Sequence, residues 1–349
     1  MPFTTSRASR RGRVGAISCL LLGFILQTAC SYVPPPAFPR PARPLPADIA
    51  ARFALPEEPV LLHQTATDVH GTSRGKLRCG EELIRFHLHR TDQTDRPLVL
   101  LVPILAGGGD LMKILARQLV SKGYHAAWCE RVAPALKPPQ RGPQLEQLFR
   151  RTVLHQRALL SWIGEQEDPK PTLTFALGVS MGGMVATVLA AVEPSLTGTA
   201  LCMAGGDVPA IVIDSKETRI ISWRNWRAEE DGLSGVPLQK ELQQHLLSDP
   251  GRIAPYVDTE RVFVVATSFD DVVAPRFQKV LWEALGRPAR LTVPLGHYTA
   301  ALALDGIMKS IADFFEERTL AEAEDRRNVD DAARLARRGT TGSALTDNR

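Results

Sequence analysis

The sequence predicts an α/β fold: a mostly parallel central sheet with helices on both faces and a helical cap inserted near the middle. Three observations carry this. First, from Leu98 onward short, fully apolar runs alternate with amphipathic or apolar helical stretches, the pattern of strands buried on both faces of a parallel sheet. Second, the stretch Pro171–Ala191 reads as a strand, a glycine-flanked turn and a helix. Third, residues 207–257 break the alternation: they hold Trp223, Trp226 and many charges but no clear strand.

The elements follow in order. Pro59–His63 and Leu83–Leu88 are two early strands, the second alternating apolar and polar as a half-exposed strand does. Leu98–Pro103 is a buried strand. It runs into Ile104-Leu105-Ala106-Gly107-Gly108-Gly109, with Asp110 as N-cap of a helix over Leu111–Lys122 that Gly123 ends. Tyr124–Cys129 is a strand. Gln144–Ile163 has Leu148, Val153, Leu154, Leu159 and Ile163 near one helical face. Thr172–Leu177 and Gly198–Met203 are strands, as are Arg261–Ala266 and Leu291–Val293; helices fill Arg276–Leu285 and Thr299 to beyond Phe315. From about Arg318 the charged tail, 319–349, reads as a fraying helix followed by disorder.

The first fifty residues carry a different message. Arg7, Arg10, Arg11 and Arg13 account for the whole +4 formal charge, because no other charged residue lies in 1–29. The basic balance therefore reports an export signal, and no nucleic-acid partner is implied. An apolar run, Val14–Leu26, follows; it is short for a bilayer span and fits a signal-peptide core. Thr28-Ala29-Cys30 resembles the lipidation motif of bacterial lipoproteins, departing at Gln27, where that family usually has Leu. The resemblance implies lipid on Cys30, with Ser31 favouring the outer membrane; an ordinary secretory signal into the periplasm is the alternative. Seven prolines between Pro34 and Pro46 predict a stiff extended spacer over 30–50, ahead of the folded domain, 51–318. Cys79, Cys129 and Cys202 are odd in number and read as buried thiols rather than a disulfide framework. No metal-ligand spacing occurs, and the glycine run after Val102 lacks the pattern of a nucleotide loop, so no cofactor is called for.

Gly178-Val179-Ser180-Met181-Gly182 has the G-x-S-x-G pattern, a weak signal alone. Its place between strand and helix gives it weight: the turn would lift the Ser180 hydroxyl clear of the sheet, and side chains at Gly178 or Gly182 would crowd it. A serine nucleophile needs a base and an orienting acid. Of the eight histidines, His297 alone combines the right chain order, a preceding strand and an adjacent glycine. Asp270 and Asp271 both follow the strand Arg261–Ala266; Asp271, ahead of Val272-Val273-Ala274-Pro275, is the better fit, with Asp270 as the alternative.

Together LVLLVPILAGGGD, GVSMGG, the late Asp before VVAP, and GHYTAAL resemble the α/β-hydrolase superfamily over about Pro97–Phe315. The resemblance implies a Ser–His–acid hydrolase of small acyl substrates, a carboxylesterase first, with thioesters or peptides also open. It also implies an oxyanion hole from the Met181 N–H and a second donor after the strand Leu98–Pro103, either Leu105 or a later glycine. A hydrolase-fold protein that binds without catalysing is the alternative from another class. Trp223 and Trp226 either line an acyl pocket or serve as packing.

Overall fold

The computed structural model describes residues 30–66, 71–107, 109–131, 133–166 and 169–342. The segment expected to be an export signal, 1–29, and the last residues of the tail, 343–349, lie outside them. Among the described residues no helix is long and apolar enough to cross a membrane.

Six parallel strands make the centre: β5 (Leu98–Val102), β6 (His125–Cys129), β7 (Thr174–Val179), β8 (Leu196–Cys202), β9 (Val262–Thr267) and β10 (Ala289–Val293). Three antiparallel strands extend one edge: β2 (Val60–Ala66), β3 (Thr72–Cys79) and β4 (Glu82–His89). β1 (Ser31–Val33) closes the other edge, antiparallel to β10. The full order is β1-β10-β9-β8-β7-β5-β6-β4-β3-β2. The β5 residues are 0% exposed because helices cover both faces of the sheet.

The helices are α1 (Ala47–Arg52), α2 (Gly109–Ser121), α3 (Gly142–Gly164), α4 (Met181–Val192), α5 (Val208–Asp214), α6 (Thr218–Asp231), α7 (Gly235–His245), α8 (Pro250–Ile253), α9 (Pro275–Ala284) and α10 (Leu304–Gly342). One apolar layer joins α3, α4 and α9 to the sheet; the other joins α2 and α10 to its opposite face. The order turns at β5: the next strand, β6, lies to one side and the one after, β7, to the other. Ligand crevices in open α/β sheets form at such a reversal, beyond the carboxyl ends of the strands. Here that places the loops after β5 and β7 side by side.

Four features differ from the sequence expectation. β3 was not expected; its side chains alternate buried and exposed, but Ser73, Gly75, Leu77 and Cys79 are too mixed to show an apolar face. The α2 helix starts at Gly109, so Asp110 lies in its first turn instead of capping it. The α10 helix runs unbroken to Gly342 where fraying was expected past Arg318. Finally, the proline-rich segment is not a free spacer but lies along the domain. After β1, Arg40 Nη2 donates to the Ala284 carbonyl at 2.6 Å and the Arg43 N–H to the Pro255 carbonyl at 3.0 Å. Thr259 Oγ1 donates to the Arg40 carbonyl at 3.2 Å. Proline cannot supply ladder donors, so this strap is held by the residues between its prolines.

Candidate active site

Ser180 sits between β7 and α4 with φ 56° and ψ −124°, a backbone conformation sparsely populated by non-glycine residues. The surroundings enforce it. The Ser180 N–H donates to the Cys202 carbonyl at 2.8 Å, and the Ser180 carbonyl accepts from the Gly183 and Met184 N–H groups at 2.9 and 3.1 Å. A Cβ at Gly178 would stand 2.2 Å from the Gly182 carbonyl oxygen, and one at Gly182 would stand 2.3 Å from that of Val102. Both contacts are with backbone, which cannot swing away. Any side chain at either position would push the turn apart, so the glycine spacing in the sequence is a packing requirement of the elbow.

His297 is brought in by the loop after β10. The loops after β9 and β10 are zipped together: the Ser268 N–H donates to the Val293 carbonyl and the Phe269 N–H to the Leu295 carbonyl, each at 3.0 Å. Gly296 allows the close approach, since a Cβ there would lie 2.9 Å from the Phe269 carbonyl oxygen. Across this zipper His297 Nδ1 and Asp270 Oδ2 are 2.8 Å apart, with side chains 9% and 0% exposed.

The carboxylate that meets His297 is therefore Asp270, and the preference for Asp271 is corrected. Asp270 is buried; Asp271 is exposed, and its carbonyl accepts from the Lys216 N–H. Asp270 is held by four further groups. Its Oδ1 accepts from the Val272 and Val273 N–H groups at 2.9 and 2.8 Å; its Oδ2 accepts from Thr267 Oγ1 and Gln278 Nε2 at 3.0 and 3.1 Å. Gln278 in turn donates to the Val273 carbonyl at 2.7 Å, which locks the turn. With His297, these groups give both oxygens of the buried carboxylate hydrogen-bond partners.

Ser180 and His297 line one cavity of about 340 Å³. Leu105 and Ala106, from the loop after β5, line it too, so the loop predicted to hold an oxyanion donor borders the serine. Met181 begins α4 directly after Ser180, where helix N-terminal N–H groups lack helical acceptors and favour negative charge. Gly108, among the later glycines considered as second donor, lies outside the described residues.

Two contributors were missed in the sequence. Arg131, just beyond β6, donates Nη1 to the Leu105 carbonyl at 2.6 Å and Nη2 to that of Pro103 at 2.7 Å. The guanidinium thereby fixes the loop that carries the Leu105 N–H. Burial, with Arg219 nearby, lowers its pKa to about 10, so it stays charged near neutrality. Gln278 is the other. A bidentate grip on two carbonyls depends on tertiary placement, and no sequence spacing announces it. Cys202 also lines the cavity, but burial pushes its thiol up to about 12, leaving it protonated and unreactive at neutral pH.

The segment between β8 and β9 supplies part of the rim: Glu217 and Arg219 line the large cavity. Val208, Ile211, Val212 and Ile220 line a small one of about 40 Å³ on another side of Ser180. Trp223 and Trp226 line neither. Trp223 is fully buried, donating Nε1 to the Gln140 carbonyl at 2.8 Å, with the Arg227 guanidinium 5.1 Å over its ring. Trp226 stacks under Arg141 at 5.0 Å. Both tryptophans are packing.

No family model matches the chain. A stretch of 90 residues is 24% identical to an uncharacterized protein, YdjC, of Bacillus subtilis (strain 168), covering 26% of this chain and 78% of that one. Among solved structures, acetyl xylan esterase 1 from Thermoanaerobacterium sp. superposes with a TM-score of 0.57 at 13% identity, covering 78% of this chain and 96% of that one. An acetyl xylan esterase from Paenibacillus sp. R4 gives 0.53 at 15% identity, covering 75% and 91%. Est1E from Butyrivibrio proteoclasticus gives 0.52 at 12% identity, covering 71% and 99%. At such identities the likeness establishes the fold, which is that of the α/β-hydrolases.

Proposed function

We propose that this chain is a serine hydrolase of carboxylic esters, working through an acyl-enzyme with Ser180 as nucleophile, His297 as base and Asp270 as orienting acid. The observation that carries the reading is the 2.8 Å pairing of Asp270 with His297 Nδ1 across the cavity mouth that Ser180 also lines. With Nδ1 donating to Asp270, Nε2 is left as the proton acceptor. Ser180 Oγ attacks the ester carbonyl while its proton passes to Nε2, and Asp270 stabilises the imidazolium. The carbonyl oxygen, now anionic, is received by the Met181 N–H and by the Leu105 N–H on the loop that Arg131 holds. His297 then protonates the departing alcohol, and water, activated by the same nitrogen, releases the acid.

Esterases of this fold support the choice of bond. So does the lining, which is apolar apart from the polar groups around Ser180 and the rim. The arginine-rich leader and Thr28-Ala29-Cys30 support export and lipid anchoring at Cys30.

A fluorophosphonate probe should label the wild type and leave Ser180→Ala unlabelled. Turnover of an activated ester such as p-nitrophenyl butyrate should fall by about 10⁴ to 10⁶ in the variant. Full activity in a folded Ser180→Ala protein would overturn the assignment, and a wild type that neither labels nor turns over would mark a binding protein on a hydrolase scaffold.

A further inference from the structure

The cavity at Ser180 is deeper than an ester group needs. Besides the mouth residues, it is lined by Leu115 of α2, Leu177 of β7, Val265 of β9, and Ile307, Met308 and Ile311 of α10. Each of these is at most 7% exposed, and all belong to the apolar layer between the sheet and the α2–α10 pair. Both helices start from the catalytic edge, after β5 and after β10, and run back along the sheet. Leu115 and Ile311 come about two turns into their helices, which sets the lining roughly 10 Å below that edge. Every polar group in the lining belongs to the mouth or rim, save the Cys202 thiol.

Protein interiors are close-packed, and a void of this size gives up dispersion contacts on every side. Water would gain little there, because it needs two to four polar partners and the deep lining offers none. An apolar cavity of about 150 Å³ takes a benzene-sized ligand. By that measure the volume of about 340 Å³ suits on the order of a dozen carbon atoms. The lining runs from Ser180 at the mouth to Ile311 about two turns into α10, so a chain that starts at Ser180 would follow it inward. The second, small cavity of about 40 Å³ at Ser180 leaves room for only a short group on the other side of the ester.

We propose that the cavity between the sheet, α2 and α10 is a binding site for an unbranched hydrocarbon chain of medium length, forming one branch of an ester whose other branch is short. This rests on the hydrolase reading for the placement of the reacting bond. The chain site itself can be tested without catalysis.

The probe is 11-(dansylamino)undecanoate, bound to the full chain carrying Ser180→Ala. Its fluorescence should rise and shift blue on binding, and straight-chain acids or alcohols should displace it. Their affinity should climb about three- to fourfold per methylene from four carbons, levelling near twelve. Turnover by the wild type should show which branch occupies the site. Either methyl esters of straight-chain acids or alkyl acetates should peak at ten to fourteen carbons, the other series falling with length. Ile311→Phe should shorten the optimum by about two to four carbons. Should that core variant fail to fold, Ala301→Trp, at an exposed position lining the mouth, should weaken dodecanoate at least tenfold in the same displacement measurement. Affinity indifferent to chain length, or an optimum at two to four carbons in both series, would overturn the proposal. Chain-length-dependent binding without turnover would instead retain the site and remove the hydrolase reading.

Discussion

Asp270 and His297 meet at 2.8 Å although they stand 27 positions apart in the chain. Two backbone hydrogen bonds between the loops after β9 and β10 bring them together. The pairing is built into the backbone, so changing the carboxylate should leave the loops in place. Asp270→Asn is expected to cut kcat/KM by about 10⁴, since an amide no longer selects the correct imidazole tautomer. Asp271→Asn should stay within a few-fold of wild type, because its exposed side chain is not at His297. Steady-state kinetics of both variants on one activated ester gives the ranking, and the reverse order would return the role to Asp271.

A second expectation concerns Arg131. Its two donors hold the Pro103 and Leu105 carbonyls, so it acts through the loop and touches no substrate in the mechanism above. Arg131→Met should lower kcat by about ten- to a hundredfold with KM changed much less, a fraction of what direct loss of an oxyanion donor brings. Arg131→Lys should rescue little, because an ammonium cannot reproduce the planar fork. A variant that merely loosened the fold would lower its Tm and raise KM together.

Gly178 is the third. With a Cβ 2.2 Å from the Gly182 carbonyl oxygen, Gly178→Ala must displace the turn that carries Ser180. It should destabilise the protein by about 1–3 kcal/mol or more and abolish fluorophosphonate labelling. Gly306→Ala, where a Cβ meets nothing within 4 Å, is the control and should change neither.

These residues show which parts of the site were legible in the sequence. The elbow was, because its glycines answer to contacts within a few residues or with the neighbouring strand, and the strand–turn–helix rhythm marks the place. His297 was, because a glycine-histidine pair after the last apolar run has one place to go in this fold. Choosing between Asp270 and Asp271 was not possible from spacing: adjacent residues in a turn point in opposite directions, and which faces inward depends on Gln278 and Thr267. Nor could β1 or the docked strap be read from composition, because prolines signal extension equally when a segment is free and when it lies on a surface. The cavity was also invisible, since Leu115, Ile307 and Ile311 have the same spacing whether they touch one another or leave a gap.

Acid should weaken the fold in a predictable window. Burial lowers the pKa of His87 and of His155 below the model-peptide value of about 6.5, outweighing the carboxylates of Glu130 and Glu82 beside them. The unfolded chain therefore binds more protons than the native one below that value. The stability is fully present above about pH 6.5 and is lost as pH falls from there through the folded values. Tm measured from pH 7.5 to 5 should decline in that window, and His155→Gln should flatten part of the decline. An unchanged slope in the variant would assign the acid sensitivity elsewhere.

The last expectation joins Cys30 to the catalytic edge. Ser31 pairs with Thr292 in an antiparallel register, so the chain preceding Ser31 points toward the carboxyl end of β10, the end that continues to His297. Lipid on Cys30 would thus fasten the protein at the edge where Ser180 and His297 lie, with no stalk between. Phe269, Tyr298 and Leu302, 73%, 68% and 69% exposed, stand on the same loops. About 0.8 kcal/mol per buried methylene makes two or more acyl chains a firm anchor. In cells expressing the wild type, the protein should partition with the membrane fraction, and mass spectrometry should find its mature N-terminus diacylated or triacylated at Cys30. Cys30→Ala should shift it to the soluble fraction. A cysteine placed at Tyr298 and carrying an environment-sensitive dye should report an apolar surrounding in the anchored protein only. An unmodified N-terminus, or a wild type as freely soluble as the variant, would mean an ordinary secretory leader. β1 would then serve solely to close the edge of the sheet.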